Sequence, residues 1–221
     1  MRTALITGYD AAYKPLAALT VPLMYRYCEH HQFDCRVYTS PIIDVPNGIY
    51  WTGVCGALEA FRDNYERVIY VDCDQLFTNL DYQIPKQWDF GFHVSKDWGQ
   101  DAVEPWHFSM CGFVAHRDTI PLFEHALELE PEWRDKPFPE QGTVQAIVKK
   151  MMGDLPHMRP NVEGYAGLIN VHPRKVFNCV PDQISPGNVP EPWDKSCWCA
   201  HLTMVTIENR IKIGKELLRL I

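Results

Sequence analysis

The chain has 221 residues, 46% of them hydrophobic and 22% charged, a balance that excludes a disordered polymer and supplies material for a packed core. Its formal net charge of −7 sets the surface against bare phosphate backbones, which excludes a general nucleic-acid binder. No apolar run reaches the ~20 residues of a membrane-spanning helix, and the run after Met1 is too short for a secretory signal. A cytoplasmic protein is therefore expected, with its eight cysteines as free thiols and no Cys-x-x-Cys frame for structural zinc. Residues 4–7 read as a buried strand that meets a Gly-Tyr-Asp turn. A helix is predicted from Pro15 to about His31, with Pro15 suited to its first turn and Pro22 placed to kink it. Residues 34–39 read as a second strand, 40–50 as a loop around Asn47-Gly48, and 53–64 as a helix with Leu58 and Phe61 on one face.

Residues 67–71, Arg-Val-Ile-Tyr-Val, have the β-branched character of a central strand. Further on, 90–94 and 108–115 read as strands, and 120–130 and 141–152 as helices. The Pro- and Gly-rich stretch 153–200 reads as mostly irregular. Residues 204–221 read as a helix whose Ile207, Ile211, Leu218 and Ile221 form a docking face. Alternating strands and helices imply an open α/β sheet, largely parallel at the front. With no repeat, low-complexity tract or linker, one domain over 1–221 is expected.

The sharpest feature is Val71-Asp72-Cys73-Asp74, two carboxylates where a buried strand should end. Residues two apart on an extended strand point the same way, so Asp72 and Asp74 are expected to converge. Adjacent carboxylates repel unless a proton or cation lies between them. Hard oxygen ligands suit Mg²⁺ or Mn²⁺, ions that commonly enter protein sites with substrate phosphates. Ligands of open α/β sheets collect beyond the carboxyl ends of the strands, so chemistry and place agree.

With this motif the sequence resembles the GT-A glycosyltransferases, closest to the retaining glycogenin and galactinol-synthase type and to the family 34 galactosyl/mannosyl transferases. Four pieces carry the likeness: residues 5–13 with their Thr and Tyr, residues 65–79 around Asp-x-Asp, Pro139-Glu140-Gln141-Gly142, and the late His201. The resemblance implies a Rossmann-like, mostly parallel sheet flanked by helices. It implies transfer of a sugar from a nucleotide-sugar donor, a UDP-sugar, to an acceptor hydroxyl on a sugar, a protein or another molecule, with retention. It implies Mn²⁺ or Mg²⁺ held by Asp72, Asp74 and His201. Thr7 would hydrogen-bond the base, Tyr13 or else Tyr9 would stack on it, and Gly112 would adjoin the donor. Glu140 and Gln141 would serve catalysis, with Glu140 favoured in its ionised form at a helix N-terminus. Trp51 and Trp106, both in loop-like contexts, are candidate sugar-stacking rings, with core packing the favoured role of each. The sequence departs from glycogenin-type families after His201, where Leu202-Thr203-Met204 replaces the Gly-Lys-Pro-Trp element that clamps the diphosphate.

Three other readings compete. In a haloacid-dehalogenase-like phosphatase, Asp72 would be the nucleophile. That fold normally begins with its Asp-bearing strand, whereas here seventy-one residues precede Asp72. A non-catalytic nucleotide-sugar-binding module would keep the fold without turnover. Cys197, Cys199 and His201 could instead surround a softer metal, for which no fourth ligand is visible.

Overall fold

The computed structural model describes residues 1–97, 107–153, 168–184 and 192–221. The chain opens with β1 (Thr3–Gly8), α1 (Lys14–His31) and β2 (Asp34–Tyr38), then a 3-10 turn at Gly48–Trp51 that closes the expected loop, α2 (Thr52–Arg62) and β3 (Arg67–Val71). Next come β4 (Gln75–Phe77), β5 (Phe92–Lys96), β6 (Phe108–His116), α3 (Ile120–Glu128), the short α4 (Glu130–Trp133) and α5 (Pro139–Gly153). β7 (Ile169–His172), β8 (Cys199–His201) and α6 (Ile207–Leu217) follow, and a second 3-10 turn at Arg117–Thr119 joins β6 to α3.

Six strands form one sheet in the order β2-β1-β3-β6-β5-β7. β6 runs antiparallel to both neighbours, β3 and β5, while the remaining pairings are parallel. The carboxyl ends of β1, β3 and β5 therefore lie along one edge, where ligands of α/β sheets gather. Both faces of the sheet's centre are covered, which fits the near-continuous apolar runs of β1 and β3. On β3, Val68 and Tyr70 pack with α2, α3 and α5, whereas Ile69 and Val71 pack with α1 and α6. This alternation is the period of two of a pleated strand.

α1 runs unbroken through Pro22 and ends at Gln32, whose positive φ lets the Phe33 N–H close on the Cys28 carbonyl at 2.8 Å. β5 lies two residues later than expected, and its register slips at Val94/Ser95. The region expected to be irregular supplies two strands. β8 pairs antiparallel with β4, and fully buried Trp198 is packed among Tyr27, Phe77 and Phe177. α6 is shorter than expected, because Ile213 and Leu217 bury while Ile221 lies beyond the helix and is exposed. Among the described residues, no helix is long and apolar enough to cross a membrane. All eight cysteines are free.

Candidate functional site

β3 stops at Val71, so Asp72 and Asp74 do not share a strand face as expected; they converge through a turn. The Gln75 N–H donates to the Asp72 carbonyl at 3.0 Å, which closes the turn over Cys73 and Asp74. Its backbone is pinned from several sides. The Asp72 N–H donates to the Cys111 carbonyl at 2.8 Å, and the Leu202 N–H donates to the Asp74 carbonyl at 3.0 Å. The Thr20 hydroxyl on α1 donates to the Cys73 carbonyl at 2.5 Å. Buried Gln75 donates from Nε2 to the Phe177 carbonyl at 2.8 Å.

The β4–β8 ladder sets His201 opposite Gln75 and so beside the turn. Asp72, Asp74 and His201 each offer a ligand atom within 4.8 Å of the others. The imidazole is fixed by Asn178, whose Oδ1 lies 2.8 Å from Nδ1. Asn178 Nδ2 donates to the Lys96 carbonyl, so its oxygen is left to accept from the ring. Nε2 is then directed at Asp74, 3.4 Å from Oδ1. That Asp74 oxygen is buried and has no hydrogen-bond partner. The other, Oδ2, accepts from Arg210 Nη1 at 2.7 Å.

Burial and the neighbouring Asp74 charge push the Asp72 carboxyl up to about 7, against the pull of a 2.7 Å hydrogen bond from the Tyr70 hydroxyl. Burial favours neutral His201, but the adjoining Cys111 and Asp74 outweigh it and hold the ring well above the usual histidine range. Two crowded carboxylates, an imidazole aimed by a second partner and one orphaned buried oxygen fit a hard divalent cation. The softer-metal alternative is not assembled: the Cys199 thiol turns to Gln75 Oε1, and the Asp72, Asp74, His201 trio is the ligand cluster among the described residues.

Glu140 is buried, and its Oε1 accepts from the Val54 N–H at 2.6 Å. It therefore caps the first turn of α2, not its own helix. Gly53 makes room for it, since a Cβ there would stand 3.0 Å from the same oxygen. The expected ionised form is not what this setting favours. Burial, reinforced by the Asp72 charge, pushes the carboxyl up to about 8 despite the Val54 and Gly53 N–H groups. Desolvation here exceeds the helix-end field. Gln141 takes the Met110 N–H at 2.9 Å and reaches Asp97 Oδ2 at 3.3 Å, tying the start of β6 to the end of β5. Gly112 lies opposite Val71 and beneath Phe177, where a Cβ would meet ring and side-chain carbons at 3.0–3.2 Å.

On the β1 side, Thr7 is buried with an unpartnered hydroxyl. Asp10 Oδ1 accepts from the Ala12 and Tyr13 N–H groups, a turn that delivers Tyr13 to the start of α1. The Tyr13 ring lies 5.6 Å from the Arg210 guanidinium, so it borders the acidic turn. Tyr9 extends the β1–β2 ladder through its backbone N–H to the Tyr38 carbonyl at 2.9 Å, which leaves its ring uncommitted by that bond. Trp51 is fully buried in the core and offers no face to a sugar, so of its two roles packing holds. Trp106 lies outside the described residues.

Arg210, Asn178 and Tyr70 complete the site without having been read from the sequence. Only Tyr70 carried a local signal, standing two positions before Asp72 at the end of the strand.

Neither a protein-family model nor a curated protein matches the sequence. Among solved structures, the chain is similar to a glycosyltransferase involved in the glycosylation of the major capsid of PBCV-1. The TM-score is 0.72 at 17% identity, over 98% of this chain and 100% of that one. The fold is that of a GT-A-type glycosyltransferase. A second glycosyltransferase-fold neighbour, GlyE of Streptococcus pneumoniae TIGR4, aligns over 79% of this chain and 46% of its own at 10% identity and a TM-score of 0.47, too distant to bear on the argument. In this glycosyltransferase fold the acidic turn follows the third strand, next to reversed β6, unlike the opening-strand arrangement of the phosphatase reading.

Proposed function

We propose that the protein is a metal-dependent glycosyltransferase that moves a sugar from a UDP-sugar to an acceptor hydroxyl with retention of configuration. The observation that carries this reading is the buried, unpartnered Asp74 Oδ1, facing His201 Nε2 within reach of Asp72 at the carboxyl edge of the sheet.

Asp72, Asp74 and His201 would hold Mn²⁺ or Mg²⁺. When bound, the cation would supply Lewis-acid neutralisation of charge on the departing diphosphate. By accepting from Nδ1–H, Asn178 keeps Nε2 of His201 turned toward Asp74, where that nitrogen would give up its proton to hold the cation, and the Tyr70 hydroxyl steadies Asp72. Thr7 would offer its free hydroxyl to the base, and Tyr13 a ring face. Gly112 would keep the strand beside the donor slim, and Gln141 would brace the β5–β6 mouth where the acceptor enters. Glu140, near enough to Asp72 for their charges to interact, would favour positive charge developing at the anomeric carbon when ionised.

Thermal melting against a panel of nucleotide sugars, with and without Mn²⁺, tests this. A donor at about 100 times its dissociation constant should stabilise by about 2.7 kcal/mol. The shift should require Mn²⁺ and vanish in Asp74→Asn. Stabilisation that ignores the metal, or none with any donor, sinks the proposal. Donor binding without sugar transfer would identify a binding module instead.

A further inference from the structure

We infer that Arg210 makes the metal site conditional on the diphosphate: it serves as counter-cation to Asp74 until a nucleoside diphosphate arrives, and then gives its charge to that diphosphate. The inference rests on the metal–diphosphate reading above and adds to it a residue and an order of binding.

Arg210 lies in the first turn of α6, and its side chain is only 12% exposed. Nε donates to the Val205 carbonyl at 2.8 Å, which ties the guanidinium to its own helix entry. Nη1 donates to Asp74 Oδ2 at 2.7 Å. A guanidinium has five N–H donors. Nη2 has no hydrogen-bond partner among the described residues, although the group stands between the acidic turn and the Tyr13 ring.

Two consequences follow from the charges. A fixed cation on one oxygen of Asp74 weakens the attraction of that carboxylate for a second cation, and it repels a divalent ion placed a few ångströms away. A bare metal ion is therefore held poorly. A diphosphate reverses the sign: its oxygens accept the spare guanidinium donors, and Arg is built for paired contacts to phosphate. The same residue thus opposes metal alone and favours metal with diphosphate. A residue that merely pinned α6 to the turn would have one sign in both settings, since its loss would loosen Asp74 for each.

The experiment uses Mn²⁺ and UDP as probes on the full chain, comparing wild type, Arg210→Gln and Arg210→Lys, with uridine as control. Mn²⁺ binding to the protein alone is read by electron paramagnetic resonance, and UDP binding at saturating Mn²⁺ by calorimetry. In Arg210→Gln, Mn²⁺ alone should bind severalfold more tightly, while UDP should bind about tenfold or more weakly, the scale of one lost charge-assisted hydrogen bond. Uridine affinity should not change, and Arg210→Lys should fall between the parent and Arg210→Gln on both axes. Weaker Mn²⁺ binding in Arg210→Gln, or unchanged UDP binding, overturns the inference. Should Arg210→Gln fail to fold, Arg210→Lys decides by the same two signs. If wild type and Asp74→Asn bind UDP alike whether or not Mn²⁺ is present, the metal reading itself has failed and the inference falls with it.

Discussion

The two ends of β3 use similar residue types under opposite conditions. At the amino end, Tyr65 is clasped by Arg2 and Arg36 over its ring, at 4.0 and 4.8 Å, and its hydroxyl bridges Arg2 and Asp34. Arg36 also pairs with Asp63 at 2.7 Å, and the acids there, Asp34 and Asp63, remain 59% and 57% exposed. At the carboxyl end, Asp74 is 10% exposed, and one of its oxygens is left over after Arg210 has taken the other. Water finishes the solvation of the first cluster, so its ion pairs add little. The second is desolvated and incomplete, an arrangement that costs stability and is retained where a ligand completes it.

The largest effect that would sharpen this contrast comes from an uncharged partner at the buried end. Asn178→Ala removes the acceptor that orients His201 and should weaken Mn²⁺ binding in the presence of UDP by roughly 10–100-fold. An unchanged Mn²⁺ titration would mean that the ring needs no such support.

A smaller effect is expected at Glu140. Its carboxyl is raised from 4.5 to about 8, so the folded chain keeps a proton that the unfolded chain has released. The stabilisation is therefore fully present below about pH 4 and is lost as pH climbs through 8. Glu140→Gln, which cannot ionise, should gain on wild type by a few degrees of melting temperature between about pH 5 and pH 8. A melting difference that stays flat across that range would show that the carboxyl is not held protonated.

The smallest effect belongs to the exposed end. Tyr65→Phe should cost about 1 kcal/mol of stability, the worth of an ordinary hydrogen bond, and leave Mn²⁺ and UDP binding as they were. If it altered either, the two ends of the strand would not be independent.

The frame of the fold was legible because its signals are local. β1, β2, β3 and α2 carry their apolar periodicity within a few residues, and Asp-x-Asp advertises itself beside one of those runs. β4, β7 and β8 were not legible. Strands of three or four residues are too short to display a period of two, and their burial comes from partners far along the chain. Arg210 and Asn178 were missed for the same reason, since only folding brings them to residues 74 and 201. For Trp51 the sequence left stacking and packing both open, because Asn47-Gly48 signals a loop; the turn that follows carries the indole into the core and decides for packing. For Glu140, a place at the start of α5 suggested an ionised carboxylate, but its burial and its bond to the first turn of α2 depend on packing between two elements.

The pairing of β4 with β8 also bears on how the protein matures. The acidic turn is synthesised well before His201, and until the two short strands meet, a divalent ion would find only a pair of carboxylates. Loop closure over such a separation comes late and rewards nothing until it is complete. Tight manganese uptake in the presence of UDP during refolding should therefore lag the first helical signal and coincide with docking of β8, which makes the ion a reporter of finished assembly.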